Sequence, residues 1–221
     1  MMGLTRRDVL ILFTVWGAVA LLLVVAFLTL RAAAHLTPPA VAITAATPLP
    51  PPTYTPVAAE QTARRMYALA EAVARGWRTD AQLVSCRGGW EQTAVNLVGR
   101  PIDWIYRFYS PQSRRLYFVT VEPGGEVHTI QHIPPVAQPP LPLSMEDWQV
   151  DSSTALASWL NAGGGRFLGM YPGSTVTAQL SIRVHDLQPL WTVVGYAEKE
   201  DALFVTTVDA RTGETTVLAQ Q

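Results

Sequence analysis

His128 and His132, four residues apart, with Glu126 just ahead of them, are the residues of this 221-residue chain that could most readily hold a metal. On an extended strand that spacing puts both imidazoles on one face. Four residues apart is, however, the ligand spacing of a helix, and no further ligand stands nearby in sequence. The pair therefore reads as surface histidines on an edge strand, and no metal is expected. Glu146, Asp147 and Asp151 could gather around a cation or do acid–base work. Carboxylates also collect at helix N-termini, where the helix dipole is positive, and capping accounts for these three. The single cysteine, Cys86, excludes an internal disulfide framework and reads as a small buried apolar residue. No G-x-S-x-G, P-loop or H-E-x-x-H motif occurs. Gly163 to Gly165 follow a helix instead of preceding one and lack the Lys-Ser/Thr of a phosphate loop, so they read as a stop signal. Trp104, Trp159 and Trp191 are most simply core. No catalytic, cofactor-binding or metal-binding residue is assigned, and no cofactor is expected.

The elements that must position these residues begin with the run Val9 to Leu30, whose 22 positions contain no charge. At ~1.5 Å per residue it reaches roughly 33 Å, enough to cross a bilayer core. Arg6 and Arg7 precede it and Arg31 follows, so the N-terminus is expected in the cytoplasm and the rest outside. Ala32 and Ala34 offer a signal-peptidase spacing, but the run is longer than a usual signal core and Arg31 intrudes, so an uncleaved anchor is the expectation. From His35 to Val57 seven prolines and no charge mark a semi-rigid tether of up to roughly 70 Å.

Beyond the tether, helical spacing places Ala59, Ala63, Met66, Tyr67, Ala70, Val73 and Ala74 on one stripe, with Thr55-Pro56 as its start and Gly76 as its stop. A short strand is expected near Ala81 to Cys86, ended by a Gly88-Gly89 turn, with further strands over 93–98, 102–110, 115–122 and 126–133. Ile102, Trp104, Tyr106 and Phe108 share the face that the helix can cover. The tract PPVAQPPLPL, 134–143, breaks the pattern. The same order then returns: a helix capped by Asp151 or Ser152 and carrying Leu156, Trp159 and Leu160, an alternating strand over 175–184, and strands over 189–197, 202–209 and 214–219. Trp191 answers Trp104, Phe204 answers Phe118, and Gly213-Glu214 answers Gly125-Glu126, which points to an internal duplication.

The segment WQVDSSTALASWL, the alternating strand, PLWTVVGYA and VTTVDARTGET resemble the PepSY-like domains of bacterial exported proteins. In those a helix begins near an Asp-Ser pair, a Trp-x-Val strand follows and a "DA-TG-E" hairpin closes the sheet. The likeness covers Trp148 to Leu218 well and the first unit more loosely, through Trp77, Asp80-Ala81, Trp104 and the Gly125-Glu126 turn. The layout is also similar to anchored proteins of Chloroflexus-type bacteria. The resemblance implies a small helix-plus-sheet module outside the membrane, of a kind proposed to restrain peptidases and without established catalytic residues.

Formal net charge is −1, which argues against nucleic acid, since phosphate neutralisation needs clustered cations. Residues 58–133 carry nine Arg against seven acids, whereas 144–221 carry four basic residues against nine acids, so the halves have opposite sign and could dock. The expected fold class is thus α+β: a transmembrane helix followed by two helix-on-antiparallel-sheet, PepSY-like modules. Residues 1–34 form the stub and anchor, 35–57 a linker, 58–133 the first module, 134–143 a second linker and 144–221 the second module. The expected function is that of a single-pass, extracytoplasmic binding or regulatory protein, not an enzyme. Its expected partners are the bilayer, through residues 9–30, and a protein or peptide, such as a peptidase that it restrains. The alternative is a structural accessory subunit of a larger membrane complex, packing through Gly17, Ala18 and Ala20.

Overall fold

A computed structural model describes residues 61–94, 97–132 and 134–220, all within the second of the chain's two units, Pro50–Gln221. The expected anchor at 9–30 and tether at 35–57 lie outside the described residues. Among the described residues no helix is long and apolar enough to cross a membrane.

The elements run α1 (Ala63–Trp77), β1 (Gln82–Ala94), β2 (Leu97–Ser110), β3 (Arg115–Val121), β4 (Val127–Gln131), α2 (Ser152–Trp159), α3 (Gly165–Met170), β5 (Thr175–Arg183), β6 (Gln188–Ala197), β7 (Ala202–Asp209) and β8 (Thr215–Gln220). The expected architecture of a transmembrane helix and two helix-on-sheet modules is corrected here. All eight strands form one antiparallel sheet in the order β4-β3-β2-β1-β5-β6-β7-β8. The physical reason is that each half-sheet would otherwise bare its first strand as an edge, and β1 and β5 satisfy one another over seven residue pairs from Ser85–Ser181 to Glu91–Thr175. The proline tract does not hold the halves apart. Its Val136 N–H donates to Arg114 O at 2.8 Å and its Leu143 N–H to Leu83 O at 2.7 Å, and Leu143 is buried.

Helix α1 starts at Ala63, with Thr62 and not Thr55 as its N-cap, and buries Ala63, Met66, Tyr67, Ala70 and Ala74 against the sheet. The expected Gly88-Gly89 turn is absent because β1 runs straight through it. Gly88 lies opposite Trp104 on β2, and a Cβ there would stand 2.6 Å from the indole ring, so glycine marks a close approach and not a bend. Trp104, Tyr106 and Phe108 are buried as the alternation requires, but Ile102 is exposed because β2 carries an extra residue, a bulge, between Pro101 and Trp104. The glycines at 163–165 do break the second helix, as expected, but a further short helix follows them. One wide turn over Leu160–Gly164, with Gly163 at φ 133°, kinks the chain, which resumes as α3.

The two halves pair their strands at matching offsets. Trp104 pairs with Val121, and Trp191 pairs with Val208 at the same offset along the chain. At that offset Phe204 answers Tyr117, whose ring stacks on Trp77, and not Phe118. Gly125 and Gly213, at φ 86° and 80°, occupy matching hairpin turns. The second turn is one residue longer, closing from Asp209 N to Glu214 O where the first closes from Glu122 N to Glu126 O. Each central tryptophan does the same work: Trp104 Nε1–H donates to Gln61 O and Trp191 Nε1–H to Val150 O, both at 2.8 Å, holding the backbone just ahead of its helix.

Those two helix N-termini meet. Asp151 Oδ1 accepts from Ser152 N–H at 2.7 Å and from Arg64 N–H of the other helix at 3.0 Å, while Ser152 Oγ accepts from Ala63 N–H at 3.0 Å. One Asp-Ser pair therefore caps both helices. Below it lies an aromatic core in which Trp104 and Trp191, one from each half, pack edge to face at 6.4 Å, and Trp148 bridges Trp191 and Tyr67. Cys86 is buried in this core and forms no disulfide.

Because a single cap is worth ~1 kcal/mol and Asp151 serves two helices, Asp151→Ala is expected to cost about 2 kcal/mol in urea denaturation. The shared core makes unfolding one transition in parent and variant, and two resolved transitions would mean that the halves fold separately. Burial first, and the Asp151 charge second, push the Cys86 thiol well above its usual range. A thiol reagent should label Cys86 slowly in the native protein and fast in urea.

Candidate functional site

Both helical layers lie on one face of the sheet, where the buried side chains of β1, β2, β5 and β6 point: Cys86, Trp104, Tyr106, Ala178, Leu180, Trp191 and Val193. The residues between them point the other way and form an open face. Its second half carries a polar row, with Gln179, Thr192, Thr207 and Thr216 in register across β5 to β8. Its first half carries Arg87, Asp103, Arg107 and the exposed Ile105.

At the seam of β2, β1 and β5 this face sinks into an open trough of about 400 Å³. Gly89, opposite Thr177, contributes no side chain to it, and its floor is therefore backbone. Ile102 and Ile105, 53% and 36% exposed, present apolar surface in it, with Arg87 and Asp103 as its charged groups. Arg87 stands across from Ile105 on β2 and Gln179 on β5. Among the described residues neither Arg87 nor Asp103 forms an ion pair, so both charges are available to a ligand. Exposed apolar groups beside opposite charges on a backbone floor suit an extended peptide.

A second hollow of about 230 Å³ on the same face is polar and lies among Arg183, Gln188, Thr207, Asp209 and Glu214. Arg183 is already engaged there. It donates to Asp186 and, at 2.7 Å, to Gln188 Oε1, and the Arg183 bond first of all lowers the Asp186 carboxyl to about 2.

The residues singled out in the sequence are dispersed. His132 Nδ1 lies 2.9 Å from Pro134 O and does not join His128. His128 Nε2 instead lies 3.1 Å from Glu122 Oε1 and 3.4 Å from Glu126 Oε1. Glu122 escaped the sequence reading, although pairing the strands about Pro123-Gly124-Gly125 would have set it opposite Glu126. The group Glu146, Asp147 and Asp151 does not converge: Asp147 takes Arg211 Nε at 2.8 Å, and Asp151 caps the helices. Asp209 of the "DA-TG-E" hairpin turns the chain, accepting from Arg211 N–H at 2.7 Å and Thr212 N–H at 2.9 Å. Trp104, Trp159 and Trp191 are buried core. The trough was not legible in advance, since it depends on β1 pairing with β5.

No family model matches the chain, and no curated protein matches it. Among solved structures, a Clostridium difficile 630 protein provisionally named a lipoprotein is similar at 13% identity and a TM-score of 0.44, over 70% of this chain and 91% of that one.

Proposed function

We propose that the protein acts by binding, and that the trough over the β2–β1–β5 seam receives an extended peptide segment of a protein partner. The observation that carries this reading is the exposed Ile102 and Ile105 beside the unpaired Arg87 and Asp103 on a floor that Gly89 leaves bare. An antiparallel sheet is stable with one face in water, and such a face is normally polar. Exposed isoleucines in a concave site are what a binding surface adds. The likeness of Trp148 to Leu218 to PepSY-like modules supports a peptidase as the class of partner, held and not cleaved. The uncharged run 9–30 behind Arg6 and Arg7 supports a single-pass, membrane-attached protein with its N-terminus in the cytoplasm and the sheet on the extracytoplasmic side.

The test places a photo-crosslinking residue at Ile105 in the full chain in its own membranes. A Cβ at Gly89 would meet only Thr177 Cγ2 and Val176 O, both at 3.8 Å, so Gly89→Tyr fills the trough without disturbing the sheet. The expected outcome is a defined cross-linked partner that disappears with Gly89→Tyr and weakens by roughly tenfold with Arg87→Glu, a loss of about 1.4 kcal/mol. A partner that residues 1–57 alone retain would instead make the protein an accessory subunit held through its N-terminal segment. No cross-link from Ile105, or one indifferent to Gly89→Tyr, overturns the trough as the site.

A further inference from the structure

We infer that the β3–β4 hairpin carries a binding site for a zinc-class divalent cation, built from Glu122, Glu126 and His128. Their ligand atoms all lie within 4.8 Å of one another. His128 Nε2 is 3.1 Å from Glu122 Oε1 and 3.4 Å from Glu126 Oε1. A tetrahedral ion with bonds of about 2.0–2.1 Å requires ligands about 3.3 Å apart, so these contacts already span two edges of the polyhedron. A cation enters with small side-chain rotations and no movement of the backbone.

The frame that holds the three groups is a hydrogen-bonded hairpin turn. Glu122 N–H donates to Glu126 O at 2.9 Å and Gly125 N–H to Glu122 O at 2.8 Å, with Gly125 at φ 86°, where an L side chain would be strained. His128 sits opposite Thr120, two residues beyond Glu126, so alternation returns it to the face that Glu126 occupies. Glu122 and Glu126 thus confront each other across the hairpin, and like charges so placed repel. Among the described residues the only basic group paired with either is His128. A divalent cation neutralises both carboxylates and uses the imidazole as a neutral ligand.

The ligand set decides the class of ion. One imidazole nitrogen and two carboxylate oxygens suit zinc and its first-row neighbours, whereas calcium takes 6–8 oxygens and three exposed groups supply too few. A fourth position stays open to water or to a side chain brought by another molecule. His132 has no place in the site, since its ring is engaged with Pro134 O.

The experiment is a zinc titration of the full chain against a chromophoric chelator. One equivalent of zinc should bind, and excess calcium should leave it bound. His128→Ala and Glu122→Gln should each weaken binding by about tenfold or more, since even outer-shell changes at metal sites cost about 10–100-fold, while His132→Ala should leave it unchanged. A cobalt(II) titration of the parent chain provides a reading that does not depend on any variant folding, with the intense visible bands of four- or five-coordinate cobalt expected. Failure to bind zinc stoichiometrically, binding that survives His128→Ala, or the weak bands of octahedral cobalt overturns the site.

Discussion

Two half-sheets that each begin with an unpaired strand must find a partner for that strand, and joining β1 to β5 satisfies both at once. The join has an electrostatic consequence. Because the helical segment of each half lies between its capped start and the strand at the seam, the two helix N-termini are brought together, and two positive dipole ends face one another. Asp151 stands between them and accepts from both, so the charge that caps one helix also relieves the encounter of the two. Among the described residues the opposite net charges of the halves form no ion pair between them. The ion pairs Glu71–Arg75, Arg183–Asp186 and Asp147–Arg211 each lie within one half, and the union rests on backbone pairing and buried rings.

The halves share a plan but fill their cores differently. In the first, α1 runs unbroken for 15 residues and the stack of Trp77 on Tyr117 closes one end. In the second, Trp159 lies where a continuous helix would meet the sheet. A Cβ at Gly195 would stand 2.5 Å from its ring, and one at Gly164 would overlap it. Its Nε1–H reaches Phe204 O at 3.2 Å. Accommodating this side chain requires glycine on both the helix and the strand below, while at the kink a Cβ on Gly163 would stand 3.0 Å from the ring of Phe204.

How far the sequence revealed this depends on whether the governing contact was local. The order of elements, the Asp151 cap, the helical stripe and the burial of Trp104, Trp159 and Trp191 could be read, because alternation and capping act within a few residues. The straight course of β1 could not. Gly88-Gly89 looks like a turn until the indole of Trp104, sixteen residues on and across a hairpin, is known to lie over Gly88. The single sheet was hidden for the same reason, since pairing between Cys86 and Leu180 leaves no periodic trace and the intervening prolines suggest separation. At the β3–β4 hairpin the sequence offered the wrong pair: His128 and His132 share a strand face but lie too far apart along it, while Glu122 reaches His128 from across the turn.

The two seam glycines set the core and the open face on opposite sides of one strand. Consecutive residues of a strand point to opposite sides, so Gly88 faces the helices and Gly89 faces solvent. The first lets Trp104 lie flat against the backbone and carry its N–H to Gln61 O, and the second leaves the floor of the trough bare. A side chain at position 88 would lift Trp104 and with it the N-terminus of α1, which is tied to Asp151 and so to the other half. A side chain at position 89 would fill the trough and meet nothing in the core. The same dipeptide therefore places the packed core and the open trough one residue apart, Gly88 against the indole of Trp104 and Gly89 on the floor of the trough.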